Sequence, residues 1–205
     1  MLSIRIFLAL LFGSSICASV CAEVTPKPNV SSCQADDSKS RSQKGSAAVI
    51  PSAKPTSDSA NSSAARACFE RLADSALLAM KTRAEALKVG GVAVVAYFDG
   101  DKVESWSSRM LVVGRLKDEP TDTQKGSNLL GIAYAKAAEM ADTLKNSGSQ
   151  VRPPMTGEFG WEGGVITHAK DGYLIAAFSG GKSSDDVDIS HMGVAQIVDQ
   201  LNAIP

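Results

Sequence analysis

Apolar residues recur at three- and four-residue steps over Phe69, Leu72, Ala76, Leu77, Met80, Ala84 and Leu87, which predicts a helix with one buried stripe. Gly90-Gly91 predicts its end. From Val92 to Phe98 the pattern becomes an unbroken apolar run with β-branched residues, the mark of a buried strand. Asp99-Gly100-Asp101 predicts a tight turn and Lys102 to Ser107 the returning strand, with Val103 and Trp106 in the core or at its edge. A polar stretch holding Pro120 precedes a second helix, expected over about Asn128 to Lys145 and ended near Gly148. Val165 to His168 and Tyr173 to Ser179 predict two strands around Lys170-Asp171-Gly172, and Gly180-Gly181 breaks the last one. Ser183, with Asp186 three positions on, predicts a capping box at the start of a final helix. An additional strand over Gly157 to Trp161 is also compatible with the pattern. The order α-β-β-α-β-β-α implies an α+β fold, a mainly antiparallel sheet flanked by helices.

Upstream of the first stripe the material changes. Met1 to Ala22 reads as a secretory signal: Arg5, a short apolar stretch from Ile6 to Phe12, and small residues in Val20-Cys21-Ala22 for cleavage before Glu23. The apolar run is too short for a transmembrane span of about 20 residues, and no other run is longer. Residues 23–63 hold 11 serines, four prolines and no aromatic residue, which predicts a flexible spacer that buries too little apolar area to fold. Residues 64–205 are then the folded domain, and the chain is expected to be periplasmic or secreted. In an oxidising compartment Cys33 and Cys68 read as a structural disulfide or, less simply, as a reactive thiol.

A formal charge of −1 removes the electrostatic reason to expect nucleic acid, and 5% aromatic residues argue against a stacking platform for single strands. Two histidines exclude a His-rich metal centre. Gly181-Lys182-Ser183 looks like the tail of a phosphate loop, but the glycine that pattern requires five residues earlier is Ala176. Asp185, Asp186 and Asp188 read as first-turn acids favoured by the helix dipole rather than as a metal cluster. In Gly160-Trp161-Glu162-Gly163-Gly164, glycines around a large aromatic admit two readings: close backbone approach to a ligand or second subunit, or a tight turn carrying a packed indole.

Several stations of the folded region occur in an order that resembles the GlcG/HbpS-like family of small haem-binding proteins. They are Gly91 to Gly100, ending in Asp99-Gly100; Arg109-Met110 on the hairpin return; Ile132-Ala133 with Lys136-Ala137; Gly163-Gly164-Val165; Asp171-Gly172 through Ala177 with Ser179-Gly180-Gly181; and Asp186 with Gly193. The sequence departs from that pattern at Glu139 (for threonine), Ile166 (for proline), Ala176 (for glycine) and Met192 (for alanine). The resemblance implies a profilin-like sandwich, often a homo-oligomer, and haem or a related tetrapyrrole as cofactor and partner. The departures leave the fold expectation standing but carry over no specific haem ligand. Read from the residues themselves, the candidate ligand atoms are those of Met110, Met140, His168 and Met192, the cations for the propionates of a tetrapyrrole pocket are Arg109 and Lys136, and Trp161, Gly163 and Gly164 form the loop expected beside the ligand.

The expectation is an exported, non-enzymatic haem-binding protein without nucleic-acid or transmembrane function. Two other readings compete with it. One is an oligomeric interaction or sensory module without cofactor. The other is a small-molecule enzyme of hydroxy-acid or aromatic catabolism, which would need an acid–base pair such as Glu162 with His168.

Overall fold

A computed structural model describes residues 57–204, with side chains from Ala64 onward. The signal segment, residues 23–56 of the spacer and Cys33 lie outside the described residues. Among the described residues no helix is long and apolar enough to cross a membrane.

Helix α1 spans Ser57–Ala86. It starts seven residues before position 64, where the sequence reading began the folded domain, so 57–63, assigned by composition to the spacer, are helical. Its stripe is as expected: Cys68, Phe69, Leu72, Ala73, Ala76, Leu77, Met80 and Ala84 are all buried. The helix does not run on to Gly90. It ends at Ala86 and is closed off at Lys88, which takes the left-handed conformation at φ 57°, while the Val89 amide donates to the Ala84 carbonyl and the Lys88 amide to that of Glu85. Gly91 serves another purpose, because any Cβ there would run into the Ser179 carbonyl of the neighbouring strand.

Strands β1 (Gly91–Asp99), β2 (Ser107–Val113), β5 (Gly164–Ala169) and β6 (Gly172–Ser179) form one antiparallel sheet in the order β2-β1-β6-β5. The return strand of the first hairpin therefore begins where the sequence reading ended it. Residues 100–106 are a loop, with Val103 exposed at its tip, and Trp106 only half-buried. Two short strands, β3 (Lys117–Asp118) and β4 (Ser127–Asn128), pair within the polar stretch, where no periodic signal marks them. The additional strand that the pattern also allowed over Gly157 to Trp161 is not formed, and that segment is loop.

Helix α2 (Leu129–Thr143) covers one face of the sheet, and α1 with α3 (Ser183–Asn202) covers the other. The alternation along β1 explains the arrangement. Ala93, Val95 and Tyr97 face α1 and α3, whereas Val92, Val94, Ala96 and Phe98 face α2, so the whole run is buried. Asn128 caps α2 through Oδ1, which accepts from the Gly131 amide at 3.0 Å. The predicted capping box of α3 is not formed. Lys182, one residue earlier, occupies the cap position, and its ammonium offers no acceptor to the free amides of the first turn. The fold is thus α+β, an antiparallel sheet between helical layers.

Candidate functional site

The sequence pattern of α2 contains one anomaly. Lys136 stands in the apolar stripe between Ile132 and Met140 and is buried with them. A buried ammonium needs a charged partner and further acceptors. Its Nζ donates to Asp186 Oδ2 and to the Phe178 carbonyl, both at 2.8 Å, and Asp186 Oδ1 accepts from the Gly181 amide at 2.8 Å. Burial pushes the Asp186 carboxyl above its usual value, and the adjacent Lys136 pulls it back. This pair ties α2 to the start of α3 across the end of β6. Gly163 passes directly against it at φ 133°, where a Cβ would meet Lys136 Nζ and Asp186 Cβ. Gly164 is similarly closed off by the Met140 methyl and sulfur.

Above the pair opens a cleft of about 190 Å³ walled by Leu129, Ile132, Ser179 and Trp161. It continues under the Trp161 indole, sharing Ser127 and Ile132, into a groove of about 450 Å³ between the first turn of α2 and the loop residues Gly157 and Phe159. Phe159 and Trp161 form an aromatic pair with ring centroids 4.8 Å apart, and both remain about half exposed, at 45% and 51%. The loop holding them is braced by Arg152, which forks onto Glu158 and also bonds Asp142.

Lys136, Met140, Trp161, Gly163 and Gly164 are therefore brought together, though not in the roles expected. Lys136 is spent on Asp186, and Met140 is fully buried against Gly164. Arg109 is elsewhere: paired with Val95 in the register, it lies on the α1 side of the sheet and bridges to Glu70 at 2.9 Å. Ser107 and Arg109 hold the Glu70 carboxyl below its usual value. Met110, its neighbour, packs on the opposite face with Leu129 and Ile132. His168 is exposed near the far end of β5, edge-on to Tyr173, and Met192 is exposed on α3. The acid–base pair of Glu162 and His168 does not form, since the two lie toward opposite ends of β5.

Haem ligation needs a His, Met, Cys or Tyr donor directed into an apolar cavity. The Met and His residues above do not meet that requirement: none lines the cleft or the groove. Among the described residues no group of three or more His, Cys, Asp or Glu is placed to hold a metal ion. Cys68 is disulfide-bonded, so it is no free thiol.

The residues missed by sequence reasoning are Asp186 as the partner of Lys136, Phe159 as the second ring of the pair, and the Arg152 brace. A lysine at a stripe position was the available signal for the first. In comparisons with known proteins, no family model matches the chain and no match is found among curated proteins. The likeness to GlcG/HbpS-like proteins rests on the motifs themselves.

Proposed function

We propose that the chain is an exported binding module, not an enzyme, and that it takes a flat conjugated ligand in the groove beneath Trp161. The observation that carries this reading is the half-exposed Phe159–Trp161 pair standing over a groove of about 450 Å³. That volume is within the range of small-molecule sites, roughly 300–1,000 Å³. Exposed rings held by a braced loop offer stacking area at little entropic cost. The signal-like segment 1–22 supports export, and the family resemblance supports a tetrapyrrole as the occupant. On this reading a tetrapyrrole is held by its face, without a Met or His axial ligand from the described residues.

The test is a titration of the purified protein with haemin and with metal-free protoporphyrin, followed by Trp quenching and absorbance. The expected result is saturable binding of both at similar affinity, weakened about tenfold or more in Trp161→Ala. Absence of saturable binding of either would overturn the reading. Tight binding of haemin alone would replace it with iron coordination.

A second reading has its own observation. Val151, Met155, Phe159 and Trp161 are all exposed within one loop, an apolar surface suited to a second copy of this chain. The family resemblance, with its homo-oligomers, points the same way.

A further inference from the structure

Beside the Lys136–Asp186 pair, the cleft of about 190 Å³ holds hydrogen-bond donors that the chain itself does not use. Ser179 closes β6 and pairs with Val92, so its side chain lies on the α2 face of the sheet, where Val92 packs with Leu129 and Ile132. Ser179 lines the cleft and is only 4% exposed, yet its hydroxyl has no hydrogen-bond partner among the described residues. A hydroxyl so enclosed is rarely left without a bond, because dehydrating it uncompensated is costly.

A second set of donors comes from the start of α3. Lys182 caps that helix without a side-chain bond, and the amides of Asp185 and Asp186 turn back to the Lys182 carbonyl. The amides of Ser183 and Ser184 meet no acceptor among the described residues. Ser183 lines the same cleft, so the positive end of a 20-residue helix and the Ser179 hydroxyl border one small space. Together they suit an acceptor group on a ligand. The surrounding charges decide which acceptor. Asp118 is paired with Arg115, Asp185 with Lys182 and Asp186 with Lys136. Glu162, exposed on the rim, has no ion pair among the described residues and leaves these groups one negative charge in excess. That excess disfavours a doubly charged phosphate more than a singly charged, planar carboxylate.

We infer that the flat ligand of the Trp161 groove carries a carboxylate, which seats in this cleft against the Ser179 hydroxyl and the Ser183 and Ser184 amides. The inference rests on the reading of that groove as a ligand site, and the cleft and groove are continuous through Ser127, Ile132 and Trp161. Lys136 is not the anchoring cation, since Asp186 already neutralises it. The anchor is made of neutral donors, and Glu162 on the rim opposes it.

The experiment titrates the purified protein with protoporphyrin and with its dimethyl ester, which keeps the flat ring and lacks the carboxylates, followed by porphyrin fluorescence. The acid is expected to bind about tenfold tighter than the ester. Ser179→Ala, a change of one oxygen, should weaken the acid about tenfold and leave the ester unaltered. Glu162→Gln removes the opposing charge and should tighten the acid about threefold, again without effect on the ester. Trp161→Ala should weaken both. Equal binding of acid and ester, or a Ser179→Ala variant that holds the acid as tightly as the original, would overturn the inference while leaving the groove a ligand site. Binding of neither porphyrin would remove the groove reading and the inference together. Amide shifts of Ser183 and Ser184 that saturate with inorganic phosphate and are untouched by protoporphyrin would assign the donors to a free anion instead.

Discussion

Lys136 and Asp186 show how a single charged pair organises a region. The ammonium is enclosed by α2, β6 and α3, and the price of dehydrating both ions is offset by their bonds to the Phe178 carbonyl and the Gly181 amide. Removing one partner strands the other. Lys136→Met is expected to lower the unfolding free energy by about 3–5 kcal/mol in urea denaturation, because it leaves the Asp186 carboxylate buried without its counter-charge. The double variant Lys136→Met with Asp186→Leu should recover much of that loss, since an apolar pair carries no dehydration cost. If the single variant is as stable as the original, the pair is not organising the cleft. Lys136 was legible as a special position, standing in an apolar stripe. Its partner was not, because Asp186 also fits a helix-capping pattern, and only the approach of α2 decides between the two roles.

At the scale of elements, the loop 149–162 is held less by its own sequence than by one arginine. Arg152 bonds both oxygens of Glu158, and the Met155 amide donates to the same carboxylate at 2.9 Å. Arg152 first, then the Met155 amide, bring the Glu158 carboxyl down to about 2 from its ordinary 4.5. A depressed carboxyl pKa contributes stability that is complete above the unfolded value and lost as pH falls through the folded one. The brace should therefore hold at neutral pH and release between about pH 4.5 and 2. Trp161 emission, read in a Trp106→Phe background, is expected to change across that window and to be flat from pH 5 to 8. Glu158→Gln should give the loosened spectrum already at pH 7. An acid transition unaltered by that substitution would show that the brace is not the cause.

At the scale of the whole molecule, four of the nine large apolar side chains exposed among the described residues fall on this loop, Val151, Met155, Phe159 and Trp161, within eleven positions. If a second copy covers it, sedimentation should show an assembly larger than the single chain, and Phe159→Ser with Trp161→Ala should shift it to monomer. A monomer at all concentrations would leave the groove to a small ligand alone. The Trp161 indole is half exposed and tilted against Phe159, so it is not a buried core residue.

Fold class, the buried central strand, the stripe of α1 and the second hairpin follow from the sequence alone, because burial on a two- or three-to-four-residue period is a local signal carried by each segment. Tyr173 to Ser179, for instance, lies within β6 as its apolar run requires. What tertiary structure decided is everything that depends on which segments meet. Arg109 and Met110 are neighbours in sequence, yet the pleat of β2 sends them to opposite faces, one toward Glu70 and the other toward α2. Met140 and Gly164 are far apart in sequence, yet close packing joins them and denies the sulfur to a ligand.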